Sequence, residues 1–273
     1  MPAVRKAKFV DQAFGPDIDS PADPLLIEAW DAERPSEQVK LARAALNVDA
    51  DAIDAYNLLG IHAGTHAESV ALFREAVRIG ERLFKPVLTD PEMEWWGYLG
   101  TRPWMRAQHN LGLALMQLED WQDAIAVFQR LLDLNPNDNQ GIRYVLLQLY
   151  CRTGDFAGCR PILETYSEDG SVTFPATALL VDLATRKKID FAKHFQAIRD
   201  SNEYALPMLA LAAREGKWPP MPKLPGGYVE MGGKAEAALY LREFREAWER
   251  RAKVLPAFLE AYDADLKQAG KKP

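Results

Sequence analysis

The sequence predicts an all-α protein, an α-solenoid of paired helices, and three observations carry that expectation. Ala, Leu and charged residues recur at helical spacing from about Pro24 to Tyr166, interrupted only by short clusters such as NVDAD, HAGTH, LEDW, LNPNDN and RTGD. No segment alternates β-branched and polar residues as a half-buried strand would. The breaks recur at a spacing that fits helix hairpins, and one hairpin cannot bury its apolar face alone, so neighbours must stack.

Taken in order, residues 1–22 mix charge, Asp, Ser and Pro without period and read as a flexible tail. Residues 23–170 read as helical repeats. Ala42, Ala45 and Asp49–Ala50 have the pattern of a second helix. Tyr56, Leu59 and Gly60 open the next pair, whose second helix carries Phe73 and Ala76 after the short turn HAGTH. The clearest unit is MRAQHNLGLALMQLEDWQDAIAVFQRLLDLNP, within residues 105–138. Leu111, Gly112 and Leu115 share one face of its first helix, and Ala124, Phe128 and Leu131 one face of its second. Gly112 and Ala124 are small where two helices approach closely, Phe128 fills the space beside them, and Pro136 ends the unit because it lacks an N–H. Ile142, Val145, Leu146 and Leu149 begin another pair that has lost the glycine and continues through GDFAGCRPILETY. Residues 171–265 read as degenerate helical repeats and capping helices, with a proline-rich break at 217–227 and two helices meeting near Leu255–Pro256. Residues 266–273 should fray.

The offsets in 105–138 resemble the tetratricopeptide repeat, a helix hairpin of about 34 residues. That resemblance implies a right-handed solenoid whose first helices line a concave, peptide-binding face. The wording TRPWMRA followed one repeat later by LNPNDNQGIRY also resembles the suppressor of tumorigenicity 7 family and its bacterial relatives. Thr101, Arg102, Pro103, Met105 and Arg106 carry the first block, and Asn135 through Tyr144 the second. A weaker likeness continues to Glu236, Ala237 and Tyr240. Gly100 stands where that family's wording implies Glu, and Trp104 where it implies Tyr; an acidic partner for an arginine would be missing here. The family implies protein interaction and no established chemistry.

Bulk composition narrows the function classes. The chain has 273 residues, 48% hydrophobic and 26% charged, with a net charge of -6. That balance disfavours a broad nucleic-acid surface. No apolar run nears the roughly 20 residues of a membrane span, and the N-terminus lacks an apolar signal core. Cys151 and Cys159 are too few for a disulfide framework and read as two thiols on neighbouring helices in a reducing, cytoplasmic setting.

Chemical motifs are weak. Asp133, Asn135 and Asn137 have calcium-loop spacing, but Asp138 and Tyr144 replace the required Gly and Glu, so Asn137 or Asp138 is expected to cap a helix starting near Gln140. His62 and His66 lack the Glu of a zinc-protease helix and fall on a turn. No phosphate loop, nucleophile elbow or C-x-x-C pair occurs, so no catalytic residues, metal or cofactor are expected. Asn57, Arg102, Arg106, His109, Gln140, Arg143 and Tyr150 instead fall on the first-helix stripe, with Leu147 beside them. Their arginines suit a carboxylate-bearing peptide, or stitch repeats together through internal acids. Trp95, Trp96 and Trp104 are either core or interface anchors. The leading expectation is a non-catalytic adaptor or assembly factor binding a protein segment. An enzyme or small-molecule binder using Arg102, Arg106, His109 and Arg143 on an anionic ligand is the alternative, and self-assembly through an exposed solenoid end the third.

Overall fold

The computed structural model describes residues 8–9, 16–17, 20–224 and 227–270. It is all-α in the sense expected, with fourteen α-helices among the described residues. The expected N-terminal tail falls mostly outside the described residues. Within it, the backbone of Lys8–Phe9 pairs antiparallel with that of Pro16–Asp17, a two-residue ladder. Ser20 bonds Asp49 and Ala22 is fully buried, so the chain is anchored just before its first helix. The chain divides into two compact units at 142/143, whereas the sequence reading placed the change of character near 170.

In the first unit, α1 (Asp23–Asp31) and α2 (Pro35–Val48) meet through alanines: Ala22, Ala29, Ala42 and Ala45 are fully buried. Both helices open on a proline in the first turn, where a missing N–H leaves no bond unmade. The next pair is α3 (Ile53–Ile61) and α4 (His66–Phe84). Thr65 caps α4 by accepting the Glu68 N–H at 3.2 Å, and Glu68 reaches back to the Gly64 N–H at 3.2 Å. HAGTH is therefore a reciprocally capped turn. His62 in it contacts Gln38. After a connection that includes short 3-10 turns at 85–87 and 99–101, α5 (Arg102–Gln117) and α6 (Trp121–Leu134) form the third pair.

One packing device recurs in these pairs. A Cβ at Gly112 would overlap the Phe128 ring, and a Cβ at Gly60 would overlap the Phe73 ring. Each aromatic sits where the facing helix has no side chain, so the helices close around it. Gly80 of α4 takes Trp104 of α5 in the same manner.

In the second unit, α7 (Ile142–Thr153) and α8 (Phe156–Thr165) keep the device but reverse it. A Cβ at Gly158 would stand 2.6 Å from the Tyr150 ring. The glycine that seemed lost has moved to the second helix and the aromatic to the first. Cys151 and Cys159 are buried free thiols with sulfurs 3.7 Å apart. The contact with Cys159 and burial push the Cys151 thiol well up. The hairpin of α9 (Thr173–Thr185) and α10 (Phe191–Ser201) follows, then α11 (Ala205–Glu215). Gly216 ends α11 at φ 65°, a left-handed cap that glycine adopts without a Cβ penalty.

Past the proline-rich segment, α12 (Lys234–Glu243), α13 (Arg245–Glu249) and α14 (Leu255–Gln268) complete the unit. Phe195 meets Phe258 and Tyr262 edge-on at 5.9 and 5.7 Å. The Glu236 carboxylate is buried and accepts three donors: the Val172 N–H at 3.0 Å, Asn202 Nδ2 at 2.9 Å and the Gly232 N–H at 2.7 Å. That knot joins three separate chain segments. It explains structurally why an acid stands at the head of α12.

Candidate functional site

Repeat geometry positions the candidate face in the first unit. Gly60 and Gly112 mark equivalent positions of α3 and α5, each turned toward its own second helix. Counting back six and three residues gives Asp54 and Asn57 on α3, and Arg106 and His109 on α5. One residue on gives Ile61 and Leu113. These offsets place each trio on one helix face. Ile61 and Leu113 are 48% and 41% exposed, two large aliphatics at matched positions of the two repeats. Trp30 of α1, 38% exposed, belongs to the same surface because the Arg106 guanidinium lies 4.9 Å from its ring centroid.

The expected residues do not all present themselves as a stripe. Arg106 pairs with Asp54, and Asp54 also accepts Asn57 Nδ2 at 2.8 Å. Asn57 is fully buried, and its Nδ2 also donates to the Pro103 carbonyl at 2.9 Å. It ties α3 to α5 instead of facing outward, although its Oδ1 has no partner. His109 is half-buried and edge-on to Phe128 at 6.0 Å, and burial lowers its pKa against a weaker opposite pull from Asp138. Asn110 beside it has an Nδ2 without a hydrogen-bond partner. Gln140 lies on the connection before α7, half-buried, and its Oε1 has no partner.

Tyr150 and Leu147 are buried, so neither lines a surface. The helical count that put them on the stripe ignored the reversed glycine, which draws Tyr150 onto Gly158. Arg143 belongs to the second unit. It bonds Asp169 at 2.8 Å and lies over the Tyr144 and Tyr166 rings at 4.5 and 5.4 Å. Burial would raise the Asp169 pKa, but hydrogen bonds from Tyr144, Ser171 and Arg143 outweigh it and hold the carboxyl low. Arg143 is thus an internal stitch.

Two of the three candidate tryptophans are core. Trp95, Trp104 and Phe84 pack together with centroids 5.1 to 5.5 Å apart. Trp104 Nε1 donates to the Val77 carbonyl at 3.0 Å. Trp96 alone stays half-exposed, with the Arg102 guanidinium 4.8 Å from its ring centroid. Arg102 also donates to the Trp96 carbonyl at 3.4 Å, and no carboxylate among the described residues pairs with it. Gly100 lies in the turn just before it. This arginine is engaged by a ring and a carbonyl.

The calcium-loop spacing resolves as a cap. The Asp138 carboxylate accepts the Ile142 N–H at 2.6 Å, and its own backbone adopts φ 49° to do so. Among the described residues, no group of three His, Cys, Asp or Glu side chains is placed to hold a metal ion.

Sequence reasoning missed Trp30, Ile61, Asn110 and Leu113. The signal existed: the residue after each packing glycine must point away from the second helix, and in both repeats it is a large aliphatic.

No helix among the described residues is long and apolar enough to cross a membrane. No curated protein matches the chain. Among solved structures, the chain is similar to YrrB, described as a TPR protein with an unusual peptide-binding site. The identity is 18% and the TM-score 0.49, over 66% of this chain and 85% of that one. The tetratricopeptide repeat family model matches residues 105–138, the hairpin of α5 and α6 in which Phe128 closes on Gly112.

Proposed function

We propose that this protein is a non-catalytic interaction module that binds a peptide segment across the first helices of its first unit. The observation that carries the reading is the pair Ile61 and Leu113, large aliphatics exposed at equivalent positions of two stacked repeats. Stacked hairpins present such positions at a regular interval, which suits successive side chains of an extended or helical segment. Trp30 and the Arg106–Asp54 pair flank them.

The acidic preference expected from three arginines shrinks to one. Asp54 and Asp169 offset Arg106 and Arg143, which leaves Arg102 as the cation for a ligand carboxylate. Apolar anchoring is the stronger determinant in this reading, and the likeness to the suppressor of tumorigenicity 7 family belongs with it as a proposal of kinship.

The test is selection of a displayed random peptide library on the full chain, with affinities then measured by fluorescence anisotropy. Burying two half-exposed aliphatics is worth about 1 kcal/mol each. Ile61→Ser with Leu113→Ser should therefore weaken selected peptides by about tenfold or more, with an unchanged melting temperature. No enrichment, or equal affinity for the double variant, would refute the assignment.

A further inference from the structure

We infer that the cleft between residues 91–97 and 134–139 is a second binding site, one for a lysine or arginine side chain carried on a peptide segment. It measures about 450 Å³, within the range of ligand pockets. Glu92 and Glu94 line it from the first segment, Asn135, Asn137 and Asn139 from the second, and Trp96 closes part of it. None of its lining residues is Lys, Arg or His.

Three features together define the ligand. First, neither Glu92 nor Glu94 pairs with a cation among the described residues, and the cation beside the cleft, Arg102, is held over the Trp96 ring at 4.8 Å instead of on either carboxylate. Second, the turn at Gly97 keeps Glu94 close. The Gly97 N–H donates to the Glu94 carbonyl at 2.9 Å, and an added Cβ at Gly97 would stand 3.2 Å from Glu94 Oε2. Third, Asn135 is only 5% exposed and its Nδ2 has no hydrogen-bond partner. A buried amide donor left unmet is costly, so an acceptor reaching it would be rewarded.

An anionic ligand meets two carboxylates here and is repelled. No group of three His, Cys, Asp or Glu side chains placed to hold a metal ion occurs among the described residues. A basic residue within a peptide meets both demands: its cation faces Glu92 and Glu94, and a backbone carbonyl accepts from Asn135. The cleft shares no residue with the Ile61–Leu113 face, so the inference stands independently of that reading.

The experiment is calorimetric titration of the full chain with acetyl-Ala-Lys-Ala amide, its norleucine counterpart and 1,4-diaminobutane. The lysine peptide should bind at least about tenfold more tightly than the norleucine peptide, the scale of one charge-assisted hydrogen bond. Glu92→Gln with Glu94→Gln should lose that preference at an unchanged melting temperature, because both side chains are exposed. Ile61→Ser with Leu113→Ser should bind the lysine peptide normally. Equal binding of the lysine and norleucine peptides, or full lysine binding by the Gln variant, would overturn the site. Diaminobutane binding as tightly as the lysine peptide would overturn the peptide assignment.

Discussion

Replacing Gly80 by Ala tests whether the tryptophan seam is as tight as its geometry. On an exposed helix face this change stabilises by about 1 kcal/mol, because Ala is the better helix former. Here the new Cβ would fall on the pyrrole edge of Trp104. That indole has little freedom to withdraw: it is fully buried, packed on Phe84 and Trp95, and bonded through Nε1 to the Val77 carbonyl. Overpacking costs about 1–3 kcal/mol. Displacing the indole also strains or breaks a buried hydrogen bond, another ~1–3 kcal/mol. After the propensity gain, the expected net loss is about 1–5 kcal/mol. Urea denaturation followed by circular dichroism measures it directly. The sharper readout is a double-mutant cycle with Trp104→Leu, which frees the space the Cβ needs. The double variant should be less destabilised than the sum of the singles by about 1–3 kcal/mol. A stabilised Gly80→Ala, or strict additivity with Trp104→Leu, would refute the argument.

The arginines should separate by burial. Arg143→Ala strands Asp169, a nearly buried carboxylate, and should cost about 2–3 kcal/mol in urea unfolding. Arg106→Ala leaves a more open pair and should cost at most about 1 kcal/mol. The reverse order would show that Arg106 is the structural residue. His109 makes stability depend on pH. Burial depresses its folded pKa, so the unfolded chain binds the proton first. Stability is then full above the unfolded value of about 6.5 and falls as pH drops through the folded one. His109→Gln should flatten that slope between about pH 7 and pH 5. An unaltered slope would exclude His109 as its source.

Much of the architecture was legible in the chain because it rests on local regularities. Helical period, turn clusters and the Leu-Gly, Ala, Phe, Pro offsets of 105–138 are properties of a few neighbouring residues, and they identified the repeat later matched by the family model. The capping role of Asp138 was legible for the same reason: the acceptor and the N–H it takes are four residues apart.

What failed was the side-chain direction of Asn57 and Tyr150. Helical counting gives a face but does not say which face is open. Tyr150 turned inward because Gly158, eight residues on and in another helix, left room for a ring. Asn57 turned inward because the Pro103 carbonyl, far along the chain, needed a donor. For the arginines, stitching through internal acids was expected as an alternative, but the partners could not be named in sequence, where Asp54 and Asp169 stand 52 and 26 residues from Arg106 and Arg143.

By itself, then, the sequence determined helices, repeats and the class of molecule, because these follow from short-range pattern. Only the tertiary structure decided which polar groups are spent on stitching and which remain for a ligand. Burial, pairing and cavities arise from residues that meet across helices, and no local spacing encodes those meetings.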